Sequence, residues 1–500
     1  MISVVLVSTY ELGRQPFGVA SPAAWLRDEG ASVSVLDLSR QSFQEEHFRD
    51  ADLVAFYVPM HTATRLASKL VPRVKAVNPT AHLCFFGLYA PVNESYLHKL
   101  GAKTILGGEF EEGLVSLVRR LAREKQNGDQ RSTVPSAHGD QVKSISQKEQ
   151  LVQISQQEPL ISLARLKFKV PDRRGLPGLE TYARLVVDGA TRIVGYTEAT
   201  RGCKHTCRHC PIVPVYEGNF RVVQQDVVLQ DIRCQIAAGA QHITFGDPDF
   251  FNGPTHAAKI VTALHQEFPG LTYDVTIKVE HLIKHSDHLP ILRDTGCLFV
   301  TSAVEGIDPK ILDAFDKRHT RDEFIQVVRT FRELNLTLNP TFVTFTPWTT
   351  LVNYLDLLKI IADLDLVDSV APIQYAIRLL IPAGSKLLDL EEVRNLVGNF
   401  DEEALSYPWT HQDHMVDKLY EDVLAAVQTA QAANATRREI FSKVWHLATS
   451  ALEGSTMSKL HLVDDGMRTT TAKDGDDAFG GSIALASRKA APHLTENWYC

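Results

Sequence analysis

Cys203, Cys207 and Cys210 stand in the run Glu198-Ala-Thr-Arg-Gly-Cys-Lys-His-Thr-Cys-Arg-His-Cys-Pro211. Three thiolates are one short of the four ligands that close a structural zinc site. They suit three irons of a [4Fe–4S] cluster whose fourth iron stays open. An open iron can take a substrate or cofactor as its ligand, so this spacing points to chemistry rather than to a staple. Zinc is the competing reading, with His205 or His209 as fourth ligand. Against it, the next cysteines are the isolated Cys234 and Cys297, with no second pair at finger or ribbon distance.

The elements around this run fix where it sits. A strand-like stretch at 192–197 leads into it, and from about 191 to 390 strands alternate with amphipathic segments. Strands are expected at 193–197, 242–246, 272–277, 298–304, 337–344 and 374–380. Six such units suit a partial (β/α)6 barrel with its active site at the carboxyl ends of the strands. Residues 1–122 alternate in the same way, with short apolar runs at 2–7, 32–36, 53–57, 82–86 and 104–106. That predicts a doubly wound α/β domain in front of the barrel. Residues 123–160 hold a polar Gln- and Ser-rich stretch that reads as a linker, the barrel takes 161–400, and 401–463 reads as helical. Residues 464–500 read as a flexible tail.

The motifs from Cys203 to Leu387 resemble the radical S-adenosylmethionine (SAM) superfamily, in the expected order. Thr244-Phe-Gly246-Asp247-Pro-Asp249-Phe-Phe251 occupies the place of the family's glycine-rich motif. The resemblance gives Gly246, Asp247 and Asp249 the methionine amino group of SAM. Glu305, at the end of the fourth barrel strand, matches the acidic residue used on the ribose hydroxyls. Pro382-x-Gly384 resembles the segment beside the adenine, and His209, where an aromatic residue is usual, can pack against the same ring. Lys278 is a candidate partner for the SAM carboxylate, whereas Lys317 and Arg318 read as a solvated helix face. A [4Fe–4S] cluster, SAM and a flavodoxin or ferredoxin electron donor are implied.

An α/β domain ahead of such a barrel resembles the cobalamin-binding class. The chain departs from one pattern of that class: Ser8-Thr-Tyr-Glu-Leu-Gly-Arg14 replaces Asp-x-His-x-x-Gly, which argues against a histidine-ligated, base-off corrin. Cobalamin as a third cofactor, with methyl transfer as its outcome, stays open beside a relic corrin domain serving sulfur or selenium transfer. The ending Asn497-Trp-Tyr-Cys500 resembles radical SAM proteins whose tails continue with selenocysteine or cysteine and then Ala-Glu-Pro. It marks Cys500 as a candidate redox thiol, with a selenocysteine codon read as a stop directly after it.

Composition narrows the partners. A formal charge of −8 gives no general reason to bind nucleic acid, so a small molecule or peptide is the expected substrate. No apolar run is long enough to cross a bilayer, and the first residues lack the basic region and cleavage site of a signal peptide. Seven cysteines, three of them clustered, fit a reducing cytoplasm better than a disulfide framework. A non-catalytic iron–sulfur carrier or sensor is the reading from another class.

Overall fold

A computed structural model describes residues 1–132, 158–464 and 491–496. Most of the expected linker, most of the tail and Cys500 lie outside the described residues.

The front sheet is parallel, built from β1 (Ser3–Ser8), β2 (Ser32–Asp37), β3 (Leu53–Tyr57), β4 (His82–Phe86) and β5 (Thr104–Gly108). Strands β3, β4 and β5 are buried along their whole length, as continuous apolar runs in a doubly covered sheet should be. Alternation divides them between two cores. Val4, Leu6, Ala55 and Phe86 face one layer, and Val5, Val7, Phe56 and Phe85 face the other. A sixth strand, β6 (Ile161–Ser162), pairs with Gly107 and Gly108. The composition places the barrel's start here; a two-residue strand carries no alternation to announce its pairing with β5.

The second sheet is the curled half-barrel. A hairpin of β7 (Arg184–Val187) and β8 (Ala190–Thr197) opens it, and a small ribbon of β9 (Thr200–Gly202) and β10 (Phe220–Val222) brackets the cysteine loop. Parallel strands β11 (His242–Phe245), β12 (Thr272–Thr276), β13 (Cys297–Glu305) and β14 (Thr337–Phe342) follow β8 across the sheet. The expected sixth strand is reduced to one bridge between Phe345 and Arg378, after a short 3-10 turn at Pro372–Ala376. Pro372 starts that turn and donates no ladder hydrogen bond. At the opposite edge, β15 (His493–Leu494) pairs antiparallel with β7.

Helix starts position the site loops. Thr320 and Glu323 form a capping box for helix Arg321–Glu333, whose stripe Phe324, Val327, Val328 and Phe331 is buried. Such a cap contributes about 1 kcal/mol. It also anchors the turn Asp316–His319 just ahead of it. Among the described residues, no helix is long and apolar enough to cross a membrane.

Candidate active site

The cysteine loop begins at Cys203, directly after β9, and is held from several sides. The Cys203 N–H donates to Asn219, the Lys204 N–H to the Asn252 side chain, and the Arg208 N–H to the Phe315 carbonyl. Gly202 is required here: its φ is +73°, and a Cβ would fall 2.3 Å from the Tyr216 ring. Cys203, Cys207 and Cys210 are all unpaired thiols, Cys207 being buried. Burial pushes the Cys210 thiol up to about 12, with the neighbouring Cys207 adding to it, and pushes Cys203 higher still. Buried thiols of this kind stay neutral alone and become thiolates when a metal supplies the compensating charge. The donor set therefore fits an iron cluster: three thiols on one loop, none of them in a disulfide among the described residues.

Beside the loop, Glu305 ends β13 in a left-handed conformation, φ +67°, where the ladder to β14 shifts register. Its carboxylate lies 3.3 Å from His209 Nε2 and 3.5 Å from Lys317 Nζ. Burial alone would raise its pKa, but Lys317 and His209 outweigh that and hold it at about 2. The His209 ring lies against Phe315, centroids 4.3 Å apart. The structure thus brings together His209 and Glu305, and adds Lys317, whose sequence context suggests a solvated helix face. Lys317 is 2% exposed. His319 is buried beside it, and its ring nitrogens lack a well-formed hydrogen bond. Burial, then Lys317 and Lys278, bring His319 down to about 3, so it stands as a neutral imidazole. The sign that could have found this pair is the Thr320-x-x-Glu323 capping box, which forces the residues before it off the helix.

The turn after β11 is committed to internal contacts. A Cβ on Gly246 would fall 1.8 Å from the Tyr196 hydroxyl, so only glycine admits that ring. The Asp247 carboxylate accepts the Ala199 N–H at 2.9 Å and the Thr200 hydroxyl at 2.6 Å, tying β11 to the cysteine loop. Burial raises it to about 7. Asp249 differs from the sequence expectation. Its Oδ1 accepts the Phe251 N–H, and its Oδ2 lies 3.2 Å from His205 Nε2, 2.9 Å from His281 Nδ1 and 3.3 Å from the Lys278 N–H. Lys278 Nζ pairs with Glu280 at 3.0 Å. Pro382 and Gly384 (φ +74°) turn the chain so that the Ser385 hydroxyl reaches the Arg208 carbonyl at 3.4 Å, against the cysteine loop.

Where the front domain meets the barrel, Arg201 is buried among Glu109, Glu111 and Glu198, at 3.3, 2.7 and 2.8 Å. It also lies over the Phe168 ring at 4.8 Å. Three carboxylates around one guanidinium leave excess negative charge, and burial with that repulsion raises Glu109 to about 7. A cavity of about 180 Å³ remains at this junction, walled by Phe17, Tyr57, Phe110 and Tyr216. These rings narrow the space left at the strand ends.

Residues 197–361 match the model of the Radical SAM superfamily. The barrel carries a radical SAM domain. Domains of this superfamily use a [4Fe–4S] cluster and SAM, and the cysteine loop with its strand-end carboxylate falls inside the matched span. The hopanoid C-3 methylase of Methylococcus capsulatus is 24% identical over 344 residues, 67% of this chain and 62% of that protein. The chain thus spans less than two thirds of that relative's length. Among solved structures, the cobalamin-dependent SAM radical enzyme OxsB with aqua-cobalamin bound superposes with a TM-score of 0.64 at 13% identity, covering 86% of this chain and 67% of OxsB. The methyltransferase TsrM from Kitasatospora setae, with cobalamin and a [4Fe–4S] cluster bound, gives 0.55 at 16% identity, covering 73% and 71%. At such identities the likeness establishes a shared fold: a Rossmann-like domain followed by the half-barrel.

Proposed function

We propose that this protein is a radical SAM enzyme acting on a small molecule or peptide. The observation that supports it most is the set of three unpaired, buried or half-buried thiols at the carboxyl ends of the barrel strands, inside the span that matches the superfamily. When bound, a [4Fe–4S] cluster at these thiols supplies one electron to the sulfonium of SAM, releasing methionine and a 5′-deoxyadenosyl radical. The chain's own residues position and shield that event. Glu305, ionised by Lys317, offers a carboxylate for ribose hydroxyls. The His209–Phe315 stack and the Pro382–Gly384 turn supply flat and apolar surface for an adenine. Asp247 keeps unused lone pairs for an ammonium beside Gly246. The buried surroundings exclude water from a radical. A flavodoxin or ferredoxin is the electron donor in this reading.

Methyl transfer with cobalamin is the second reading, and the fold shared with OxsB and TsrM supports it. Aromatic rings narrow the junction between the domains, and no step here is routed through a corrinoid. Cys500 enters as a redox thiol, four positions beyond Glu496 and so at most about 14 Å from it. The codon after Cys500 decides the selenocysteine reading, which UAA or UAG would end.

The test is anaerobic reconstitution with iron, sulfide, SAM and a strong reductant, followed by mass spectrometry. 5′-Deoxyadenosine that vanishes in Cys203→Ala supports the reading. Its absence from wild-type protein carrying a full cluster overturns it in favour of an electron carrier. S-Adenosylhomocysteine that depends on added cobalamin moves the assignment to methyl transfer.

A further inference from the structure

We propose a second metal site in this domain, distinct from the cysteine loop's cluster: a divalent first-row transition ion held by His205 Nε2, Asp249 Oδ2 and His281 Nδ1.

Three elements deliver these donors. His205 comes from the cysteine loop, Asp249 from the turn after β11, and His281 from helix Val279–Lys284 after β12. The three atoms form a triangle with sides of 2.9 Å (Asp249–His281), 3.2 Å (Asp249–His205) and 3.4 Å (His205–His281). Metal–ligand bonds of about 2.0–2.1 Å at octahedral to tetrahedral angles place neighbouring ligands about 2.9–3.4 Å apart. The triangle matches one face of such a shell. All three side chains are buried, at 7, 1 and 3% exposure. Two imidazole nitrogens that approach each other at 3.4 Å have no hydrogen bond to exchange if both carry protons. A shared cation gives both lone pairs, and the carboxylate between them, a common partner.

The surroundings are those of ligands held in place. With Nε2 turned to the site, His205 Nδ1 faces Glu280 Oε2 at 3.4 Å, the carboxylate contact that fixes the tautomer of metal-bound imidazoles. Lys278 Nζ, 3.3 Å from the same Nδ1, is neutralised by Glu280 on the side of the ring away from the triangle. Asp249 is oriented by the Phe251 and Lys278 N–H groups. Two histidines and one carboxylate favour zinc, iron(II) or cobalt(II) over magnesium or calcium. Three protein ligands leave positions open, as in sites that take water or a substrate oxygen rather than purely structural ones.

This assignment is independent of whether SAM is cleaved. It is tested on wild-type protein with its cluster assembled, by titrating zinc or cobalt(II) against a chromophoric chelator. The expected result is one tightly bound ion per chain beyond the cluster iron, with visible d–d bands of low-coordinate cobalt(II). His281→Ala and Asp249→Asn lose that ion at least about 100-fold while cluster iron and the cluster's absorption stay unchanged. Glu280→Gln, at a partly exposed side chain, weakens it about tenfold, in the range of outer-shell substitutions. This variant keeps the test decisive if the buried ones fail to fold. No ion beyond the cluster iron, or equal retention in wild type and Glu280→Gln with octahedral aqua-cobalt bands, overturns the proposal and leaves Asp249 as a carboxylate that accepts two imidazole N–H groups.

Discussion

The two sheets present the same kind of edge, the carboxyl ends of parallel strands, and treat it in opposite ways. In the front domain that edge is lined with packed rings. Tyr57 and Phe86 lie 5.4 Å apart, Phe110 packs on both, and Glu109 is drawn into the Arg201 knot. In the barrel the edge keeps groups with unspent capacity: three thiols, an ionised Glu305, a buried His319 without a good partner, and the His205–Asp249–His281 triangle. Shared topology therefore does not imply shared work. The strand ends of one sheet act as a wall for the chemistry at the ends of the other.

Substitutions separate the two edges. The largest effect falls on the barrel: Cys203→Ala abolishes 5′-deoxyadenosine formation and the cluster's absorption, with the thermal unfolding of the front domain retained. The next falls on the wall. Arg201→Leu strands buried carboxylates and costs about 3–5 kcal/mol, read by chemical denaturation. Tyr57→Ala removes a buried ring and costs about 3 kcal/mol. It enlarges the junction cavity, and cobalamin retained on a desalting column by this variant but not by wild type would show that the wall excludes it. Lys317→Met weakens SAM binding about tenfold, or about 1.4 kcal/mol, measured by equilibrium dialysis. The pH dependence has a worked sign. Glu305, held at about 2, contributes stability above its unfolded value near ~4.3 that is lost as pH falls through 2. Lys317→Met moves that loss to higher pH. Glu109, raised to about 7, acts in the other direction: its contribution is full below ~4.3 and fades as pH rises through 7. Glu109→Gln flattens that slope in thermal melts. At the small end, Arg119→Ala breaks an exposed pair with Glu29 and leaves the melting temperature unchanged.

What the sequence made legible follows from periodicity and local spacing. The continuous apolar runs of β3, β4 and β5, and the cysteine loop after β8, are visible in windows of ten residues. What stayed hidden depends on distance along the chain. His205, Asp249 and His281 are separated by 44 and 32 residues, and no local pattern couples them. Lys317 looks solvated beside Arg318 and Asp316, yet Arg318 is exposed while Lys317 turns inward to Glu305. Residues 374–380 carry strand composition, but the 3-10 turn begun at Pro372 uses up the residues that would have paired, leaving only the Arg378 bridge. Asp249 looks available in the sequence because its partners lie far along the chain, His205 in the cysteine loop and His281 on the helix after β12.

The hairpin edge at β7 has a partner that arrives late. His493 and Leu494 pair with Val186 and Leu185, roughly 300 residues upstream. A ribosome adding about 5–20 residues per second needs at least about 15 seconds between the two. During that interval the emerging half-barrel shows an open strand edge to the crowded cell, the kind of surface on which neighbouring nascent chains pair and aggregate. Slowing or truncating synthesis before codon 493 should therefore lower the yield of soluble protein more than the loss of two strand residues would imply.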